Sequence, residues 1–327
     1  MPPLSRPLLV FFVSALAGCA SPESPSPSPA AARKPAAPAK SAPSANTETL
    51  RGYWALYKKD DPQWPEARAE WLAMGEGDAW ILVENLLAEI VRASDQGDAR
   101  ALSRARSEMA AVSGPAVPFL VEALEHGDNV TRRHCSDALV AIGPKSVPAL
   151  LSRLPSYGAA AKRAAAAVLG SIGDPSSVPG LAALARDDAD WAVRAESVAA
   201  LGAFFPATDA EAAIARTLES DPDAFVRRRA AETSARGASR AGADALAGAL
   251  ADADASVRAS AASALAARRD PAAVEPLIAA LEREAAPARG DASARRAIHG
   301  ALRELTGADC GFDAAAWRRA AAKTKRE

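Results

Sequence analysis

The sequence predicts an all-α protein, a right-handed α-solenoid of about six to seven helix pairs, and three observations carry that expectation. Alanine is the commonest residue, while aromatics make up 5% and charged residues 24% of the 327 positions; alanine is the strongest helix former, and stretches rich in Val, Ile and Thr together are few. A basic residue followed by small or apolar residues at +3, +6, +7 and +10 recurs six times, at Arg132, Lys162, Arg194, Arg227, Arg258 and Arg295. The +7 positions are Leu139, Leu169, Leu201, Ser234, Leu265 and Leu302. A period of about 30 residues made of two helices and a turn is the signature of stacked helical repeats.

The elements follow in chain order. Residues 1–18 read as an export signal: Arg6 precedes the apolar run Leu8 to Leu16, which is too short to span a bilayer permanently. Leu16-Ala17-Gly18-Cys19 resembles a bacterial lipobox. That resemblance implies cleavage before Cys19 and acylation of its thiol, more than one acyl chain giving a stable anchor. Ala20 and Ser21 lack the aspartate associated with inner-membrane retention, so the expected location is the cell envelope, lipid-anchored at the outer membrane and facing the periplasm. Residues 19–46 then form a Pro/Ala/Ser linker, with seven prolines from position 22 onward and no periodic apolar positions. Such a segment cannot bury enough surface to repay its ordering entropy, and reaches about 30 Å as a coil.

Residues 47–97 are helical in pattern and hold Trp54, Trp64, Trp71 and Trp80 beside Tyr53 and Tyr57. A repeat array exposes the inner face of its first unit, and large rings cover such a face efficiently, so this segment is expected to be an amino-terminal cap.

Residues 98–307 carry the regular units. Four positions before the basic anchor stands Asp128, Asp190, Asp223, Asp254 or Asp291, with Gly158 in the second unit. Aspartate caps orphan N–H groups of a first turn, so each anchor lies on a second helix that begins just after it. The first helices are expected to open at Val117-Pro118, Val147-Pro148, Val178-Pro179 and Val274-Glu275-Pro276, because proline is tolerated in an opening turn and nowhere deeper. The arrangement Asp-x-x-Val-Arg, as in Asp190 to Arg194 and Asp254 to Arg258, resembles HEAT repeats, particularly the short class named after phycobilisome lyases. Ser234, Gly237 and Arg268 stand at core-type positions, which predicts looser packing of the fourth and fifth units. Residues 308–327 read as a terminal cap helix around Trp317 with a basic tail, similar to the closing element of bacterial HEAT proteins.

The formal charge of −1, from 39 basic and 40 acidic residues, gives no field that would recruit nucleic acid, and none is expected as a partner. Cys19, Cys135 and Cys310 form no C-x-x-C pair, no phosphate-binding or hydrolase motif occurs, and His126, His134 and His299 have no ligand-like partners at short spacing. Hence no catalytic residue, metal or cofactor is expected. The anchors read as Asp–Arg pairs four residues apart that cap each helix and bridge to the next, each contributing a few tenths of a kcal/mol when exposed. The cations one or two positions further, Arg133, Arg163, Arg228, Arg229 and Arg296, lack such partners in sequence and are the candidate contacts for an unidentified protein partner. The reading that follows is a non-enzymatic envelope lipoprotein, held by the lipid on Cys19, whose repeats serve as an interaction scaffold. Three other readings compete with it: a bilin-lyase-like enzyme, suggested by the repeat class and opposed by export; a DNA-glycosylase-like enzyme, opposed by balanced charge; and a structural spacer.

Overall fold

The computed structural model describes residues 46–286 and 291–324. The expected signal segment, Cys19 and the linker to residue 45 lie outside the described residues, as does part of the insertion before Asp291.

The described residues are helical throughout. Three helices come first: α1 (Thr47–Lys58), α2 (Trp64–Ala73) and α3 (Glu76–Asp95), followed by α4 (Ala99–Ala111). Six antiparallel pairs succeed them: α5 (Ser113–His126) with α6 (Asn129–Ile142), α7 (Val147–Arg153) with α8 (Ala159–Ile172), and α9 (Val178–Asp187) with α10 (Trp191–Leu201). The series continues with α11 (Thr208–Ser220) and α12 (Ala224–Ser234), α13 (Arg240–Ala249) and α14 (Ala255–Arg268), and α15 (Val274–Glu284) and α16 (Ala292–Thr306). The last helix, α17 (Ala314–Thr324), packs on α15. Second helices stack in one row, α6 on α8, α8 on α10 and so to α16, while α9, α11 and α13 stack in a parallel row. The protein is an all-α solenoid.

The sequence pattern explains this stacking directly. At +3 from the anchors, Cys135, Ala165, Ser197, Ala230, Ala261 and Ile298 are buried, and so are all six +7 residues. The two positions lie one helical turn apart, so each second helix turns one stripe inward. All five expected aspartates are N-caps: Asp128, Asp190, Asp223, Asp254 and Asp291 each accept a backbone N–H from their own first turn. Gly158 stands at the same place in α8 without a side-chain cap.

Small residues set how closely the rows approach. A Cβ added at Gly170 on α8 would lie 2.9 Å from both Cα and Cβ of Ala200 on α10, so only glycine lets these helices meet so tightly. With so much alanine inside, each contact removes little apolar area, and cohesion must come from many contacts and from polar ties.

Two expectations need correction. Pro118 does not open its helix: α5 begins at Ser113, and Pro118 lies inside it. In other pairs a separate short turn precedes the proline-opened helix, at Gly143–Ser146, Pro175–Ser177 and Pro271–Ala273; before α5 the corresponding residues are already helical. The second concerns looseness around Ser234, Gly237 and Arg268. Arg268 donates from Nη1 to the Ser234 carbonyl at 3.0 Å and from Nη2 to the Ser239 carbonyl at 2.6 Å. Buried Glu211 accepts the Ala238 and Ser239 N–H groups from the other side. A Cβ on Gly237 would sit 2.8 Å from Glu211 Oε2, so the small residue makes room for charge rather than leaving a void.

Aromatic rings fill the amino-terminal helices. Trp54 and Tyr57 stack at 4.5 Å, and Tyr57 meets Trp64 edge-on at 5.3 Å. Trp71 is fully buried and donates its indole N–H to the Asp78 carbonyl at 2.6 Å. At the other end Trp317 is equally buried and donates to the Gly311 carbonyl at 2.9 Å.

Candidate functional site

The repeated cations form a ladder between units. Lys162 Nζ lies 2.6 Å from Asp188, Arg194 Nε 2.7 Å from Asp221, Arg227 Nε 2.7 Å from Asp252 and Arg258 Nε 2.5 Å from Glu284. Each partner belongs to the turn of the following pair, not to the cation's own capping aspartate. Nη1 of each arginine also donates to carbonyls of its own turn, for instance Arg194 to Asp188 at 3.0 Å and Arg258 to Asp252 at 3.0 Å. The carboxylates in turn accept the backbone N–H of the next cap: Asp188 from Asp190, Asp221 from Asp223, Asp252 from Asp254 and Glu284 from Asp291. At Asp252, burial pushes the carboxyl up, but the hydrogen bonds from Arg227 and from the Asp254 N–H outweigh it and hold the group below the usual carboxylate range.

The expected bridge to the next unit is present, but the carboxylate it uses is not the unit's own capping aspartate, and the pairs are largely shielded from solvent rather than exposed. The capping aspartates are occupied by their own helix N–H groups, so the long guanidinium reaches across to the next turn. Arg258 is 3% exposed. A buried pair of this kind is costly to break from one side, because the remaining charge stays desolvated. At the carboxyl end, Arg295 stacks over the Phe312 ring, 4.3 Å from its centroid.

The five candidate partner-binding arginines sit on α6, α8, α12 and α16; Ala195 and Ala259 occupy the same place on α10 and α14, so they do not form an unbroken row. Arg133, Arg163, Arg229 and Arg296 are exposed and Arg228 is half-buried. The structure brings together only Arg228 and Arg229, and both have an acidic neighbour after all. Glu232 lies 3.6 Å from Arg228 and 3.8 Å from Arg229, one turn further along the helix.

Beside them is a feature that spacing alone did not reveal. Trp191 and Phe225, in the first turns of α10 and α12, are 47% and 45% exposed, and their rings meet edge-on at 5.0 Å. Arg228 lies over the outer ring, 4.6 Å from the Phe225 centroid. A signal was available: both rings follow a capping aspartate by one or two residues.

The remaining chemistry-bearing groups are dispersed. Cys135 is buried, and burial pushes its thiol up to about 12, so it is protonated at neutral pH. His134 is 1% exposed, and neither ring nitrogen has a hydrogen-bond partner. Burial, then the Arg133 charge, moves its pKa below the ordinary value of 6.5. His299 has the acidic partner that its sequence neighbours did not offer: Nε2 lies 3.0 Å from Asp309, ten residues on. Among the described residues no three His, Cys, Asp or Glu side chains converge to hold a metal ion, and no helix is long and apolar enough to cross a membrane. An open apolar hollow of about 610 Å³ lies where α3 and α5 begin, lined by Leu72, Gly75, Ala79, Trp80, Gly114, Pro115 and Pro118.

Stacked helix pairs, capped by aspartates and tied turn to turn by ion pairs, define a helical-repeat protein. The sequence matches the HEAT-repeat family over residues 117–202, 147–235 and 210–297, which together span more than half of the chain, and the chain belongs to that family. Among curated proteins it is similar to phycocyanobilin lyase subunit beta of Pseudanabaena tenuis, 31% identical over 171 residues covering 50% of this chain and 60% of the relative. The corresponding subunit of Thermosynechococcus vestitus is 33% identical over 90 residues, covering 28% and 42%. The chain thus spans about 60% or less of these relatives' length. Among solved structures it resembles the complex of CpcE and CpcF of phycocyanin lyase from Nostoc, with 19% identity over 64% of this chain and 98% of that one and a TM-score of 0.30. Human deoxyhypusine hydroxylase in complex with glycerol gives 17% identity, 70% and 98% coverage and a TM-score of 0.29. The curated relatives correct the reading of this chain as a non-enzymatic interaction scaffold: they are subunits of a lyase.

Proposed function

We propose that this chain is a lyase-type HEAT subunit that, together with a protein partner, handles an open-chain tetrapyrrole. The observation that carries the reading is the likeness, above 30% identity, to two phycocyanobilin lyase beta subunits. The chemistry of the chain favours holding over covalent carriage. The buried, protonated Cys135 thiol is a poor nucleophile, because the thiolate is the reactive form. On this reading the chain binds and orients the chromophore, and Cys135 takes no part in carrying it.

The test is a titration of the full chain with phycocyanobilin, followed by absorbance and induced circular dichroism. A bound, conformationally restricted bilin should shift its long-wavelength band and acquire ellipticity; a spectrum equal to that of free pigment at all protein concentrations refutes the reading.

We further propose, independently of the pigment reading, that the chain is anchored at the cell envelope through a lipid on Cys19; held together, the two readings put the pigment and the partner at the envelope. The support is the register of apolar run, small residues and cysteine in residues 8–19, followed by the proline-rich linker. Fatty-acid labelling should mark the wild-type chain and not Cys19→Ala, which should leave the membrane fraction; an unlabelled wild-type chain rules the anchor out.

A further inference from the structure

We infer that the bilin seat is the aromatic–arginine patch formed by Trp191, Phe225, Arg228 and Arg229, an assignment that rests on the tetrapyrrole reading above. Among the described residues three large rings stand nearly half exposed, Trp191, Phe225 and Phe312; the first two touch each other across the α10–α12 junction, whereas Phe312 packs beside His299 at the carboxyl end. Set at 74° to one another, Trp191 and Phe225 form an apolar corner that water solvates poorly, against which a pyrrole ring of a conjugated chain can lie.

Charge supplies the second half of the argument. An open-chain tetrapyrrole of this class carries two propionate side chains, anionic at neutral pH. Arg227 is spent in the ladder on Asp252, but Arg228 and Arg229 share one carboxylate, Glu232. Their approaches of 3.6 Å and 3.8 Å are longer than a charge-assisted hydrogen bond. Arg228 and Arg229 share one loosely held carboxylate, and ligand carboxylates can displace Glu232 or add to it. The guanidinium covers one face of Phe225, so a chromophore lying against Trp191 has a cation beside it to receive a propionate.

The hollow beside Trp80 is the competing seat. It has the volume of a small-molecule site, but no cation lines it. The anionic groups of the ligand therefore favour the patch.

The experiment compares phycocyanobilin with its dimethyl ester as probes of the full chain, read by absorbance. Four proteins are titrated: wild type, Trp191→Ala/Phe225→Ala, Arg228→Gln/Arg229→Gln and Trp80→Ala, with thermal melts to show that each remains folded. The aromatic double variant should bind both probes at least about tenfold more weakly, and the arginine double variant should lose about tenfold for the free acid but not for the ester. Trp80→Ala should bind as wild type. Loss in Trp80→Ala alone moves the seat to the hollow and overturns the assignment while leaving the tetrapyrrole reading intact, as does undiminished binding by both patch variants. A wild-type chain that binds neither probe removes the reading and the seat together.

Discussion

In α1 to α3 the space between helices is taken up by rings: Tyr57 and Trp64 are buried against each other, and Trp71, equally buried, meets Tyr53 and bonds to α3 through the Asp78 carbonyl. From α8 to α16 alanine is the commonest buried residue and no ring as large as tryptophan is buried, and the units are instead tied by four ion pairs at their turns. Each ring removes a large apolar area from water in one place, whereas an alanine face removes little and leaves neighbouring helices free to slide. The ladder answers that weakness with geometry: a guanidinium bound to its own turn and to the next fixes their spacing. An array that must repeat uses a short, periodic tie, and an end that occurs once uses bulk.

The sharpest way to break the comparison is Arg258→Ala. It strands the Glu284 carboxylate, 3% exposed, without its main cation, and stability should fall by about 3–5 kcal/mol in chemical denaturation. Arg258→Met combined with Glu284→Leu should recover most of that loss; if the double variant is as unstable as the single one, the ladder contributes more than charge neutralisation. Trp71→Ala should cost about 3 kcal/mol or somewhat more, but its effect should stay local. Hydrogen exchange should rise in α1 to α3 and remain slow from α9 onward, as expected where each unit contacts only its neighbours. Uniform acceleration would show that cap and repeats share one cooperative core.

A smaller effect belongs to the seam between the two regions, where His134 on α6 faces Arg106 on α4, Asp95 at the end of α3, and Arg133 and Asp137 on its own helix. Its native pKa lies below 6.5, the ordinary value expected in the unfolded chain. As pH falls through 6.5 toward the native value, the unfolded chain takes up a proton that the native protein does not, so stability declines across that window and levels off beneath it. Urea melts at pH 7.5 and pH 5.5 should show this decline in the wild type and a smaller one in His134→Leu. Equal slopes would mean that His134 does not titrate with folding.

The repeat itself was legible because it rests on local rules: a capping aspartate, a helical stripe at +3 and +7, and a proline in the opening turn of α7, α9 and α15. What was not legible depended on reach. The partner of Arg194 lies 27 residues away, at Asp221, and no i,i+4 rule finds it. The sequence did carry a trace, since Asp188, Asp221 and Asp252 each stand two residues before a capping aspartate. The Trp191–Phe225 pair and the His299–Asp309 contact likewise depend on how units or segments meet. The arginine row, read as unpartnered from one helix at a time, overlooked Glu232 because only the anchors' own aspartates were weighed. The enzymatic character of the relatives left no local mark either, since no catalytic motif accompanies the repeats.

The ladder also has a direction. Every cation belongs to one unit and its carboxylate to the unit that follows, so the chain leaves the ribosome with each newly made cation waiting for a partner not yet synthesised. A deletion from the amino end leaves behind a carboxylate that backbone N–H groups still hold, as Asp188 is held by Asp190. A deletion from the carboxyl end leaves a guanidinium with half its bonds missing. Shortened versions should therefore tolerate loss of early units better than loss of late ones, and the last pair closes the series by laying Arg295 on the ring of Phe312.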